Sequence, residues 1–234
     1  SEPGNFVGLP PEEITLAEML KQQGYATACI GKWHLGFQEP CHPMNQGFDE
    51  FFGFLGSLYR YFDLGNMKPP HSFMRGFDRW HEKEYQTDAL ARESVSFIER
   101  HKDQPFFLYA SFGAVHILLM YDEDPGPVHI PLNGTDDEQE NRRMLVNMIA
   151  GLDRGVGRIM DTLRDEGLER DTLVFFLSDN GGPEATGAYD NGPLRDWKGT
   201  VYEGGSRVPF FAYRPGRIEA GRRIQTPLSV LDIV

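Results

Sequence analysis

Leu173-Val174-Phe175-Phe176-Leu177 runs directly into Ser178-Asp179-Asn180-Gly181-Gly182, and this stretch decides how the chain is read. A short apolar run bounded by turn residues predicts a buried strand. Asp179 and Asn180 then stand where that strand leaves its sheet, and the glycines allow a sharp turn there. In open α/β sheets, ligands gather at the carboxyl ends of strands. Two adjacent hard oxygens suit Ca²⁺, with Mg²⁺ as the alternative, rather than a soft metal. Taken alone, an ordinary turn explains the segment better, because Asp, Asn and Gly are turn formers.

The flanking sequence supplies the context of an α/β sheet. Residues 13–23 predict a helix: Thr15 and Glu18 form a capping box, Leu16, Met19 and Leu20 an inward stripe, and Gly24 the stop. Residues 25–30 read as a short strand leading into Gly31-Lys32-Trp33-His34-Leu35-Gly36. From about 37 to 82 the chain is rich in Gly, Pro and aromatics and reads as irregular surface. A helix is expected over 86–101, with Ala89, Leu90, Val95, Phe97 and Ile98 apolar, and a strand over 106–112. Residues 117–136 read as loop. A long amphipathic helix follows over 137–166, carrying Met144, Leu145, Met148, Ile149, Leu152, Val156, Ile159, Met160 and Leu163 at helical spacing. A last strand is expected over 208–213, and Ser229–Val234 reads as the opening of an apolar helix. Alternating strands and helices imply a mainly parallel sheet flanked by helices.

Composition limits the function classes. With 234 residues, 40% hydrophobic and 12% aromatic, the chain can bury a substantial core. Its 23 basic and 35 acidic side chains give a net charge of −12, which argues against a nucleic-acid surface. No apolar stretch nears the roughly 20 residues of a membrane helix. Cys29 and Cys41 are the only cysteines, too few for a disulfide framework. Asn133-Gly134-Thr135 is a formal glycosylation acceptor, of a kind that arises often by chance.

Polar residues mark four strand ends or the loops just after them: Lys32 and His34, His116, Asp179 and Asn180, and Lys198. Strand ends of one sheet converge in space, so these groups can share a cleft. Lysines and a hard cation would offset charge on an oxyanion ester, while histidines move protons near neutral pH. Each has a plainer explanation: a solvated lysine for Lys32 and Lys198, a structural histidine for His34 and His116. Tyr59, Arg60, Tyr61, His71 and Arg75 are candidate pocket-lining residues on composition alone.

Together these motifs resemble the sulfatase family, of the arylsulfatase type within the alkaline phosphatase superfamily. Gly31-Lys32-Trp33-His34-Leu35-Gly36 is similar to its signature, Phe176–Gly181 to its metal-binding strand end, and Lys198-Gly199-Thr200 with Tyr202–Pro209 to its second lysine loop. Gly47–Gly53 is a further matching block, and the likeness runs from about residue 7 to the end. The resemblance implies an alkaline phosphatase/sulfatase-like fold and a sulfuric ester hydrolase. It implies Asp179 and Asn180 as Ca²⁺ ligands, and Lys32 and Lys198 as the lysines holding sulfate oxygens. His34 would be the partner of an aldehyde-hydrate nucleophile, His116 the sulfate-contacting or leaving-group histidine, and Ser57 a serine near the sulfate. Val115 and Leu118 depart from the family pattern, where proline is usual near that histidine.

The family nucleophile is a formylglycine made from cysteine in a C-x-P-x-R or C-x-A-x-R setting, preceding the GKWHLG block with two aspartates of the calcium site. Residues 1–31 hold neither, and Cys41-His42-Pro43-Met44-Asn45 carries Asn where Arg is required. The chain is therefore expected to be the central part of a single catalytic domain, truncated at both ends. Alone it is expected to be inactive and prone to aggregate through unpaired strand edges. In the full-length protein a small-molecule or carbohydrate sulfate ester is the expected partner, in a secreted, periplasmic or lysosomal setting, with the oligomeric state open. Two alternatives remain: a phosphomonoester or phosphodiester hydrolase of the same superfamily, against which Asn180 argues, and a non-catalytic binder of sulfated ligands.

Overall fold

The first helix begins as its capping box predicts. In the computed structural model, the Thr15 hydroxyl accepts from the Glu18 N–H at 3.1 Å, and Glu18 accepts from the Thr15 N–H at 2.8 Å. Helix α1 (Leu16–Gln22) follows, and Gly24 turns the chain with φ +84° into β1 (Ala26–Lys32). The structure describes residues 8–57, 60–62, 70–117, 119–120, 135–184 and 187–233. Tyr59, Asn133 and most of the loop expected over 117–136 lie outside them.

Strand β1 lies inside a five-stranded sheet flanked by helices. It pairs in parallel with β2 (Glu50–Phe54) on one side and β5 (Phe106–Ser111) on the other. Beyond β2 the sheet turns antiparallel through β3 (Met74–Arg75) and β4 (Asp78–Arg79), giving the order β4-β3-β2-β1-β5. Alternate side chains of the central strands serve opposite faces. Ala28, Ile30, Phe52 and Phe54 pack toward Leu90 and Phe97 of α2 (Gln86–His101) and Met144, Leu145 and Met148 of α3 (Glu138–Asp165). Cys29, Phe51 and Leu55 pack toward Ala17 of α1, Trp33 and Phe48. A fully buried ring such as Phe54 or Phe97 contributes about 1.5–3 kcal/mol through burial.

Segment 37–82 is not the irregular surface its composition predicts, because β2, β3, β4 and two short 3-10 turns lie within it. Strand β2 escapes a pattern reading because it is covered on both faces and so shows no apolar–polar alternation. Its internal glycine is required by close backbone approach. A Cβ on Gly53 would lie 1.9 Å from the Gly31 carbonyl oxygen, and one on Gly31 would lie 1.9 Å from that of Ser111.

The strand expected before Asp179 exists as β6 (Val174–Leu177), but neither buried nor parallel. It pairs antiparallel with β7 (Phe210–Tyr213) as a separate two-stranded sheet. Phe175, Phe176 and Phe211 are 37%, 43% and 61% exposed. An apolar run marks a capacity for burial; no helix among the described residues covers these rings. The expected helix at 229–234 is likewise only a 3-10 turn, Val230–Ile233, with Leu231 exposed.

Candidate functional site

The carboxyl end of β1 delivers Lys32, and the next residues are fixed by an extension of the β2 pairing. The Trp33 N–H donates to the Phe54 carbonyl and the His34 N–H to that of Leu55, both at 3.0 Å. Trp33 turns into the α1-side core, donating its indole N–H to the Cys41 carbonyl at 2.8 Å. His34 sits at φ +58°, a left-handed conformation uncommon for a side-chain-bearing residue, and it is exposed. The buried indole thus anchors the turn that holds Lys32 and His34 at the sheet end.

His116 comes from the turn after β5, which two tyrosines tie down. The fully buried Tyr61 donates its hydroxyl to the carbonyls of Gly113 and His116, each at 3.0 Å. Tyr189 donates to the Val115 carbonyl at 2.7 Å. His116 Nδ1 bonds the Ile117 carbonyl, which places the neutral ring's proton on Nδ1 and leaves Nε2 as the lone-pair nitrogen.

Asp179 and Asn180 leave the end of β6, as the sequence reading expects. Lys32 Nζ lies 3.9 Å from Asp179 Oδ2, joining the five-stranded sheet to the β6–β7 sheet. The Lys32 side chain is 13% exposed and that of Asp179 70%. The Lys198 backbone N–H donates to the Gly182 carbonyl at 3.1 Å, which brings the second lysine loop to the same strand end.

The electrostatics join these groups into one cluster. Burial pulls the Lys32 ammonium below the ordinary lysine range; Asp179 opposes this and Lys198 adds to it. Although His34 is exposed as a residue, partial desolvation of its ring lowers it first, helped by Lys32, Lys198 and His71 and opposed by Asp179. His116 is lowered by burial first, with the Ile117 hydrogen bond opposing, and then by Lys198 and Lys32. Lys32, His34, His116, Asp179 and Lys198 therefore converge.

The remaining candidates divide. Ser57 is half-buried just beyond β2 and makes no hydrogen bond among the described residues. Tyr61 supports the His116 turn from within the core rather than lining a pocket, and Arg60 is exposed. Arg75 is corrected: its guanidinium pairs bidentately with Glu93 at 2.8 and 2.9 Å and stacks on Phe52 and Trp80, which commits it to holding β3 against α2. His71 joins the site more closely than composition indicates. It acts on His34 electrostatically, lies against Gly56, and has a buried Nδ1 with no hydrogen-bond partner among the described residues. No sequence motif singles it out.

Asp179 and Asn180 fit a hard cation. Asn180 Nδ2 donates to the Gly181 carbonyl at 3.0 Å, and no hydrogen bond engages Oδ1 among the described residues. Two oxygens are only part of the six to eight that Ca²⁺ takes. Among the described residues no group of three His, Cys, Asp or Glu could complete such a site.

Comparison with known proteins points to the same family. A family model described as Sulfatase matches residues 1–234. The chain is 33% identical to N-acetylgalactosamine-6-sulfatase of Canis lupus familiaris, over 97% of its own length and 44% of that protein. It is 30% identical to steryl-sulfatase of Mus musculus, over 97% of its length and 47% of that protein. Among solved structures, Ps i-CgsB in complex with k-i-k-neocarrahexaose matches with a TM-score of 0.84 at 33% identity, covering 98% of this chain and 53% of that one. The chain spans about half the length of these relatives.

Proposed function

Because this chain belongs to the sulfatase family, as the match across residues 1–234 shows, we propose that the full-length protein hydrolyses a sulfate monoester carried on a sugar. The observation that carries the reading is the gathering of Lys32, His34, His116 and Lys198 around Asp179 in a protein of net charge −12. A local excess of cations within an acidic chain suits a small anion and disfavours a polyanion. Support for a carbohydrate ester comes from two relatives, one named for N-acetylgalactosamine 6-sulfate and one solved with a neocarrahexaose.

In this reading Lys32 and Lys198 hold the sulfuryl oxygens and offset charge as it develops there. Asp179 and Asn180 would contribute two ligands to a bound Ca²⁺, which would add Lewis-acid stabilisation of the same oxygens. His34, exposed at the end of β1, would orient the nucleophile. His116 offers Nε2 as a proton acceptor and, once protonated, is the acid for the departing alcohol. Neither cysteine is the nucleophile. Cys29 is buried within β1, with its thiol pushed up by burial, and Cys41 is buried against Gly8 and Gly36. The formylglycine that the family resemblance implies therefore belongs to another segment of the protein.

The test is sulfate release by the full-length protein, its cysteine oxidised, from N-acetylgalactosamine 6-sulfate, carrageenan oligosaccharides and p-nitrophenyl sulfate, with p-nitrophenyl phosphate alongside. Turnover of the phosphate ester alone would reject the assignment.

A further inference from the structure

Asn191 lies in Asp190-Asn191-Gly192-Pro193, a sequence that reads as a simple turn, yet both ends of its amide are engaged far from that turn. Its Oδ1 accepts from the Gly182 N–H at 2.9 Å. Its Nδ2 donates to the Gly182 carbonyl and to the Asp196 carbonyl, each at 3.1 Å. One side chain thus grips the peptide groups on both sides of Gly182 and reaches across to the segment preceding Lys198. The same Gly182 carbonyl accepts the Lys198 backbone N–H at 3.1 Å.

Three further features show how little slack this junction has. Gly181 donates to the Gly205 carbonyl at 3.0 Å and Gly204 to that of Arg195 at 2.7 Å. A Cβ on Gly181 would lie 1.7 Å from the Gly204 oxygen, and one on Gly204 would lie 1.8 Å from the Asp196 oxygen. Asp196, whose carbonyl Asn191 holds, has φ +62°, a conformation that costs energy in a side-chain-bearing residue and persists only when its surroundings fix it.

We propose that Asn191 is a positioning residue that sets Lys198 against the Asp179–Asn180 strand end. It touches no reacting group itself. It acts by locking Gly182, two residues past Asn180, to the backbone on which Lys198 is mounted. This rests on the reading that Lys198 and Asn180 serve one sulfate site. A residue of merely structural importance would alter stability; this one alters how well the site grips an oxyanion.

The test is a double-mutant cycle in the full-length protein between Asn191→Ala and Lys198→Ala, reading KM and inhibition by free sulfate. Losing these hydrogen bonds is expected to weaken sulfate inhibition and raise KM about tenfold, in line with the net worth of one or two such bonds. That effect should vanish in the Lys198→Ala background, because the group being positioned is gone. Additive effects, or unchanged KM and inhibition in Asn191→Ala, overturn the proposal. If Asn191→Ala does not fold, Asn191→Asp serves in its place, since it keeps the Gly182 N–H acceptor and loses only the two donated bonds. Hydrogen exchange separates this proposal from the sulfatase reading. Absence of sulfate release by the wild type rejects that reading, whereas the Lys198 amide should still exchange slowly in wild type and fast in the variant. Equal exchange in the two overturns the positioning role.

Discussion

The two sheets meet at one site but are held in opposite ways. The five-stranded sheet has β1 and β2 covered on both faces, and it presents Lys32, His34 and His116 from a close-packed base. The β6–β7 pair, which presents Asp179 and Asn180 and abuts the Lys198 loop, exposes Phe175, Phe176 and Phe211 and is knitted mainly by backbone and amide hydrogen bonds. Burial fixes one half of the cluster and polar geometry the other. Substitutions should therefore act on stability in the first half and on ligand contact in the second.

The largest effect is expected at Gly31. Its φ of +124° and the 1.9 Å approach to the Ser111 carbonyl leave no room for a methyl group between β1 and β5. Gly31→Ala should abolish soluble folded protein; a normal yield with a cooperative melt would mean that the sheet can open there. Next comes a direct contrast between the halves. Phe97→Ala, in the core, should cost about 3–5 kcal/mol in urea unfolding, whereas Phe211→Ala should fall within about 0.5 kcal/mol. Equal costs would show that both rings are covered in the full-length protein and would break the comparison. In the catalytic assay, Lys198→Ala should lower kcat/KM by about 10²–10³, the loss seen when one oxyanion-stabilising donor is removed. Its unfolding midpoint should barely move.

What the sequence discloses follows the same division. Helices α1, α2 and α3 were legible because a capping box and a 3.6-residue apolar period are local signals, and their observed bounds fall within a few residues of expectation. Strand β2 was not legible, since burial on both faces removes alternation and Gly53 imitates a turn. The exposure of β6 was hidden for a different reason. An apolar run records which residues could be buried, while pairing direction and covering layers are non-local. Lys32, His34, Asp179 and Lys198 stood out through motifs, and the structure brings them together. His71 and Asn191 did not, because one acts across space on His34 and the other looks like turn chemistry until its hydrogen bonds are traced.

The smallest effect probes whether the two halves share one electrostatic field. Burial and the charges of Lys32 and Lys198 hold His34 and His116 below the usual histidine range, so both rings are neutral at pH 7. With folded pKa values below the unfolded value of about 6.5, the unfolded chain binds more protons as pH falls below that point. The contribution of these rings is complete above about 6.5 and is lost as pH falls through their folded pKa values. NMR titration should place both midpoints below about 6.5. Lys198→Met, which removes a charge from the β6–β7 half without touching the imidazoles, should move both midpoints upward by a fraction of a unit. An upward move at one ring only would mean that the other does not face the lysine loop. No move at either would separate the two halves of the site and reduce the cluster to the single contact between Lys32 and Asp179.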